Sequence, residues 1–179
     1  MKKTILSFLL LAVATLGFAQ VKQTTSAVVA FDATTPKDAL PKAENKTVIA
    51  QLNTKTGQID FEAAVKNFAF SNPVIQEHFN EDRWMSSDKF PAFTFEGKIS
   101  DVQNYNFSKN GIINVTVTGQ MTVKGKSNTV TMPATIEVKN GTLMASANFS
   151  ITLADYGISV GDGSKIAGQP KITVSAELK

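Results

Sequence analysis

Apolar and polar residues alternate with period two through much of the second half of the chain. Ile113, Val115, Val117, Gly119, Met121 and Val123 share one parity, and Asn114, Thr116, Thr118, Gln120 and Thr122 share the other. Val130, Met132, Ala134, Ile136 and Val138 repeat the pattern, as do Leu143, Ala145, Ala147, Phe149, Ile151 and Leu153, and finally Ile172, Val174, Ala176 and Leu178. Such alternation is the mark of strands with one face buried. Asn110-Gly111 and Asn140-Gly141 carry the two-residue hairpin signal, and Gly125 to Asn128 predicts another turn. Gly161 to Gln169 reads as a Gly-rich loop.

The first half is less regular. Ser26 to Asp32 and Thr47 to Leu52 read as strands, and Thr54-Lys55-Thr56-Gly57 as a turn. Thr35-Pro36-Lys37-Asp38 has the cap, proline and acid of a single helical turn. Ile59, Phe61, Ala63 and Val65 lie on one side of the next strand, whereas Phe68 and Phe70 fall on the opposite parity. That flip predicts a β-bulge near Lys66-Asn67.

One stretch changes period. Asn72 is a good N-cap, and Pro73 suits the first helical position, where its missing N–H costs nothing. Val74, Ile75, His78 and Phe79 then form one face of a two-turn helix, too short to stand alone and so in need of apolar cover. After Ser86 and Ser87 the period returns to two, with Phe93, Phe95, Gly97 and Ile99 on one side. These roughly eight strands form an antiparallel meander that either packs as two sheets or closes into a barrel. Phe93, Phe95, Val115, Val117, Ile136, Phe149 and Ile151 are expected to share one interior. Small residues on the same faces, such as Ala63, Gly119, Ala134, Ala145 and Ala147, leave room there. Either neighbouring large side chains fill that room or an apolar ligand does.

The first nineteen residues stand apart. Lys2 and Lys3, the apolar run Ile5 to Val13, and Gly17-Phe18-Ala19 make a secretory signal peptide, with Gln20 as the mature N-terminus. The apolar run is about half of the ~20 residues a spanning helix needs. Removing the two leader lysines leaves sixteen basic against fifteen acidic residues, so neither nucleic acid nor an acidic membrane surface is the expected partner. The chain has no Cys, which excludes disulfides and thiolate metal sites. Residues 20–179 suit a single domain.

Catalytic chemistry is sparse. The sequence holds one His and one Arg. His78, on the apolar face of the short helix, fits a hydrogen-bonded structural role better than a catalytic or metal-binding one. Glu77-His78 lacks the spacing of a zinc-protease motif, and Gly161-Asp162-Gly163-Ser164-Lys165 lacks the Walker pattern and the strand-to-helix context of a phosphate loop. Glu81, Asp82 and Arg83 read as a solvated charge cluster. Asn45-Lys46-Thr47, Asn114-Val115-Thr116 and Asn148-Phe149-Ser150 match the glycosylation triplet, a pattern that often arises by chance.

Several segments together resemble the YceI-like family, lipocalin-like proteins known as polyisoprenoid-binding. The strongest is Gln76-Glu77-His78-Phe79-Asn80-Glu81 followed by Lys89-Phe90-Pro91-Ala92-Phe93-Thr94-Phe95-Glu96-Gly97. It is similar to the family's His-containing helix and the strand entry after it. Gly57-Gln58-Ile59-Asp60-Phe61, with Phe68-Ala69-Phe70, resembles the preceding strand. Val117 to Gly125 resembles a family hairpin, and Ala154-Asp155-Tyr156-Gly157-Ile158 a family segment near the end. Asp82-Arg83-Trp84 departs from the smaller or Tyr-like pattern expected at that place.

The resemblance implies an all-β, eight-stranded antiparallel lipocalin-like barrel, with one or two short helices near its opening and no catalytic centre or cofactor. The barrel would hold a long apolar lipid, an isoprenoid quinone or polyprenyl chain, for storage, transport or stress protection. On that reading Phe61, Phe68, Phe70, Phe93 and Phe95 contact ligand. So do Val117, Met121, Met132, Ile136, Phe149 and Ile151 on the later strands. His78, Phe79 and Trp84 would touch the lipid at the rim. The protein would be periplasmic or secreted, with no stable membrane insertion after the leader is removed; a homodimer is one oligomeric option. The competing expectation is an exported β-domain with a solid core that binds a protein or glycan through its surface.

Overall fold

A computed structural model describes residues 20–179; the leader expected over residues 1–19 lies outside the described residues. Nine strands form one antiparallel sheet. They are β1 (Val21–Asp32), β2 (Lys42–Asn53), β3 (Gln58–Ala64), β4 (Ala69–Phe70), β5 (Ala92–Ile99), β6 (Gly111–Val123), β7 (Lys126–Lys139), β8 (Thr142–Ser150) and β9 (Lys171–Leu178). The order is β1-β9-β8-β7-β6-β5-β3-β2-β4, and β1 also pairs with β2, so eight long strands close a barrel. β4 is a two-residue addition to β2, pairing Ala43 with Phe70 and Glu44 with Ala69. Among the described residues one α-helix, α1 (Pro73–Asn80), lies between β4 and β5.

Alternation decides which face is inside. Val115, Val117, Met132, Ile136 and Ala145 are buried. Their outward neighbours pair across strands through polar side chains, as in Thr118–Thr131 at 2.9 Å and Gln120 Nε2 to Thr129 Oγ1 at 2.7 Å. The β6–β7 ladder is the longest, running from Gly111↔Val138 to Val123↔Lys126. Pro133 is tolerated in β7 because β8 pairs with β7 only from Ala134 onward, so no ladder bond is lost at the proline.

A meander sends alternate connections to opposite ends. The turns at 54–57 and 140–141 and the 100–110 segment sit at one end. That end is packed solid by the fully buried Leu52, Ile99, Val138, Leu143 and Leu178. The longer 33–41, 65–91 and 151–170 connections gather at the other end, together with the 124–125 turn. There the loops are tied to each other. Thr35 Oγ1 donates to the Ser164 carbonyl at 2.7 Å, and Ala167 N to the Ala33 carbonyl at 2.8 Å.

Several local expectations are corrected. Thr35–Asp38 is not helical; it is a tight turn with mutual Thr35–Asp38 backbone bonds, and Thr35 Oγ1 accepts from the amides of Lys37 and Asp38. The parity flip before Phe68 comes from a 3-10 turn over Val65–Asn67 that ends β3, rather than from a bulge within one strand. The register shifts lie instead in the β1–β2 pairing. Asn140-Gly141 makes the expected two-residue hairpin, with φ of 50° and 81°. Asn110-Gly111 does not: Gly111 opens β6 after a long connection, and Asn110 Oδ1 accepts from Asn140 N at 2.8 Å. The β6–β7 turn is Lys124-Gly125 rather than Gly125 to Asn128. Asn45 is no glycosylation acceptor. It is fully buried, and its Nδ2 donates to the Ala64 carbonyl while Oδ1 accepts from Thr47.

Candidate functional site: the barrel lumen and its mouth

Above the packed end the barrel is hollow. A cavity of about 590 Å³ runs from a floor of Ile59, Val115, Ile136 and Ala145 toward the end that carries the long loops. It falls within the ~300–1,000 Å³ typical of ligand pockets. The interior is therefore not solid, and the expectation of a filled core does not hold.

The wall is hydrocarbon because inward strand positions are apolar. Phe61, Phe93, Phe95, Val117, Met121, Met132, Ile136, Phe149 and Ile151 all line it, as the alternation places them. Phe68 and Phe70 line it as well, re-aimed inward by the 3-10 turn before them. Sequence reasoning missed Val29 and Phe31 of β1 and Ile172 and Val174 of β9, although the same period-two rule would have found them. It also missed Leu40, Pro41, Ile166 and Pro170, which come from loops whose periodicity says nothing about direction.

The helix covers part of the mouth. Asn72 Oδ1 accepts from Val74 N at 2.9 Å, so the cap forms as expected. The anchor is Phe79, the buried residue of α1. Its ring centroid lies 4.9 Å from Phe70, 5.6 Å from Phe31, 6.1 Å from Phe68 and 6.4 Å from Phe93. Such aromatic pairs contribute beyond simple burial. Ile75, His78, Trp84 and Met85 also line the cavity. Val74 does not belong to this covered face: it is 56% exposed.

The polar groups of the cavity lining are few. Asp38, Arg83 and Lys165 stand on the mouth loops and His78 on α1, whereas Thr94 and Ser146 border the cavity from outward-facing strand positions. His78 Nδ1 is 2.7 Å from Glu81 Oε1, and Arg83 Nε donates to Glu81 Oε2 at 2.6 Å. Arg83 Nη2 lies 3.2 Å from the same His78 nitrogen. The hydrogen bond from His78, followed by the Arg83 contacts, holds the Glu81 carboxyl below its ordinary range. The bond to Glu81 fixes the direction of Arg83. Among the described residues no three His, Cys, Asp or Glu side chains come together as a metal site. No described helix is long and apolar enough to cross a membrane.

Comparison with known proteins agrees with this architecture. The family model described as YceI-like domain matches residues 11–178. No curated protein matches the chain. Among solved structures, BcnA of Burkholderia cenocepacia superposes with a TM-score of 0.70 at 20% identity, covering 86% of this chain and 96% of that one. A polyisoprenoid binding domain from Saccharophagus degradans, implicated in plant cell wall breakdown, gives 0.76 at 10% identity, with 89% and 98% covered. The YceI protein of Campylobacter jejuni gives 0.54 at 20% identity, with 74% and 80% covered. At these identities the structural likeness speaks for the fold.

Proposed function

The chain belongs to the YceI-like domain family, and from that premise we propose that it is an exported carrier of one long apolar lipid. The lipid is of the isoprenoid class, a quinone or polyprenyl chain, and lies in the lumen with its tail toward Ala145. The observation that carries this reading is the 590 Å³ cavity, walled by hydrocarbon and closed at one end. Such a space suits an apolar chain and penalises water, which needs polar partners that this wall lacks. The description of the Saccharophagus degradans domain as polyisoprenoid-binding supports the same class of ligand. The protein acts by binding rather than catalysis, and residues 1–19 are the leader that exports it.

Trp84 provides the test, since it lines the cavity and is the only Trp in the sequence. Stripped protein titrated with an isoprenoid quinone should lose Trp84 fluorescence in a saturable way, complete at about one equivalent. Unsaturable quenching, the same as that of free tryptophan, would remove the lumen as the binding site. The intact mass of protein recovered from outside the cytoplasm should begin at Gln20; a retained leader on that material would count against export by this signal.

A further inference from the structure

The closed end of the barrel carries more chain than its topology requires. Two residues, Asn140-Gly141, suffice to join β7 to β8. β5 and β6 are antiparallel neighbours in the same way, yet residues 100–110 join them. Part of that length closes the barrel: Val102 packs over Gly57, where an added β-carbon would lie 3.0 Å from Val102 Cβ. The residues after Val102 build something else. Between them and the 54–57 turn lies a second cavity of about 430 Å³, at the end opposite the mouth. Its size is again that of a ligand pocket.

The lining is unlike that of the lumen. Tyr105 and Phe107 are half-buried: they pack against the core and also border this cavity, edge to face with ring centroids 6.4 Å apart. Around them stand Gln103, Asn104 and Asn106, with Thr54 on the facing turn. An amide side chain offers donors and an acceptor together. Gln103 and Asn104 are exposed, and Asn106 Oδ1 accepts from Ser108 N at 2.9 Å. Among the described residues no charged side chain lines the cavity. The backbone around it is fixed. Ser100 N donates to the Thr116 carbonyl at 2.9 Å, Tyr105 N to the Val102 carbonyl at 3.1 Å, and Asn140 N to Asn110 Oδ1 at 2.8 Å. A preformed site spares a ligand much of the cost of ordering it.

We propose that this cavity is a second binding site, for a neutral glycan. A sugar ring has an apolar C–H face, which an aromatic ring covers, and a rim of hydroxyls, each a donor and an acceptor, which amides answer. A charged ligand would find no counter-ion here. A bound peptide would need a strand edge to pair its backbone, and every residue lining this cavity lies outside the strands. The site is separate from the lumen, so the protein can hold a glycan and a lipid at once, one at each end.

The experiment titrates cellotetraose, chitotetraose and mannotetraose, with tetragalacturonate as the acidic control, into stripped and lipid-loaded protein, read by calorimetry and saturation-transfer NMR. At least one neutral probe should bind saturably, at one per chain, with the same affinity in both preparations and better than the acidic control. Trp84 fluorescence should not respond to it. Gln103→Ala and Asn104→Ala, at exposed positions that leave the melting temperature unchanged, should each weaken binding. Tyr105→Ala should weaken it by about tenfold or more, the scale of one or two lost contacts. Lipid retention should be the same in all three variants. Absence of binding by every neutral probe, or a preference for tetragalacturonate, overturns the proposal. So does binding that survives all three substitutions, or that lipid displaces with a Trp84 response, since the sugar would then sit elsewhere. The carrier reading stands or falls on lipid binding alone and is untouched by any of these results.

Discussion

Phe95 occupies the space over Gly97, its neighbour but one on the same strand. A β-carbon on Gly97 would lie 2.5 Å from both Cε1 and Cζ of the ring. Gly97 pairs with Gly119 across β5 and β6, and a β-carbon on Gly119 would meet the Glu96 carbonyl and Gly97 Cα at 2.4 Å. The paired glycines let the Phe95 ring lie along the barrel wall, and that keeps space open in the lumen.

Alanine at either glycine should therefore be destabilising. Overpacking of this kind costs about 1–3 kcal/mol. For a domain of this size each kcal/mol lowers the melting temperature by roughly 2–4 °C. Thermal melts of Gly97→Ala and Gly119→Ala check this; unchanged melting in both would mean that the wall is looser than the contacts imply.

The floor should set the length of chain that fits. Ala145 is inward, opposite Ile136 on β7 and Ala176 on β9. Ala145→Phe would raise the floor toward the mouth. The lipids extracted from this variant should be shorter than those from wild type by mass spectrometry. An unchanged distribution would place the ligand elsewhere.

Phe79 and Val74 sit five residues apart on α1, on different faces at 3.6 residues per turn, and should behave oppositely. Phe79→Ala empties the aromatic nest and should cost about 3–5 kcal/mol. Val74→Ala, at an exposed position, should stay within roughly 0.5 kcal/mol of wild type. Trp84→Ala, at a half-buried position, should weaken lipid retention more than it weakens the fold. Denaturant melts read the first two, and retained lipid per chain reads the third.

Tyr156 gives a pH dependence. The residue is buried, and its hydroxyl makes no well-formed hydrogen bond among the described residues; Asn128, whose side chain lies close enough to pull the Tyr156 pKa slightly down, donates its Nδ2 to the Asp155 carbonyl at 3.2 Å. Burial, and then the Asp155 charge, push its pKa above the ordinary 10.0. The raised folded-state value means that the neutral form is favoured on folding. That contribution is complete below about 10.0 and is lost as pH rises toward the folded-state value. Tyr156→Phe should be neutral or slightly stabilising near pH 7, since no bond is broken, and should flatten the alkaline loss. A clear loss of stability at neutral pH would show that the hydroxyl has a partner.

The strands were legible because their alternation is a direct record of the buried face, as Val115 to Val123 and Leu143 to Phe149 show. The same rule placed lumen residues such as Met121, Met132 and Phe149 correctly on the inner wall. The ends of β1 and β2 were not legible, since Lys, Gln and Glu on the outer face hide a strand whose inner face is short of large side chains. Asn110-Gly111 misled because a dipeptide carries no information on how far away its partner strand lies. The mouth was the least legible part. Leu40, Lys165 and Ile166 reach it through strand order, which brings loops distant in sequence to one end. Arg83 stood out in the sequence only as a member of a charge cluster.

If the lumen holds one lipid, a native mass spectrum of the protein as purified should show it. The expected result is a chain beginning at Gln20 that carries a single added mass in the range of a long-chain lipid. That mass should vanish after extraction with organic solvent and return when the extract is added back. A spectrum showing only the bare chain, identical before and after extraction and unchanged by adding lipid, would mean that the lumen holds no lipid.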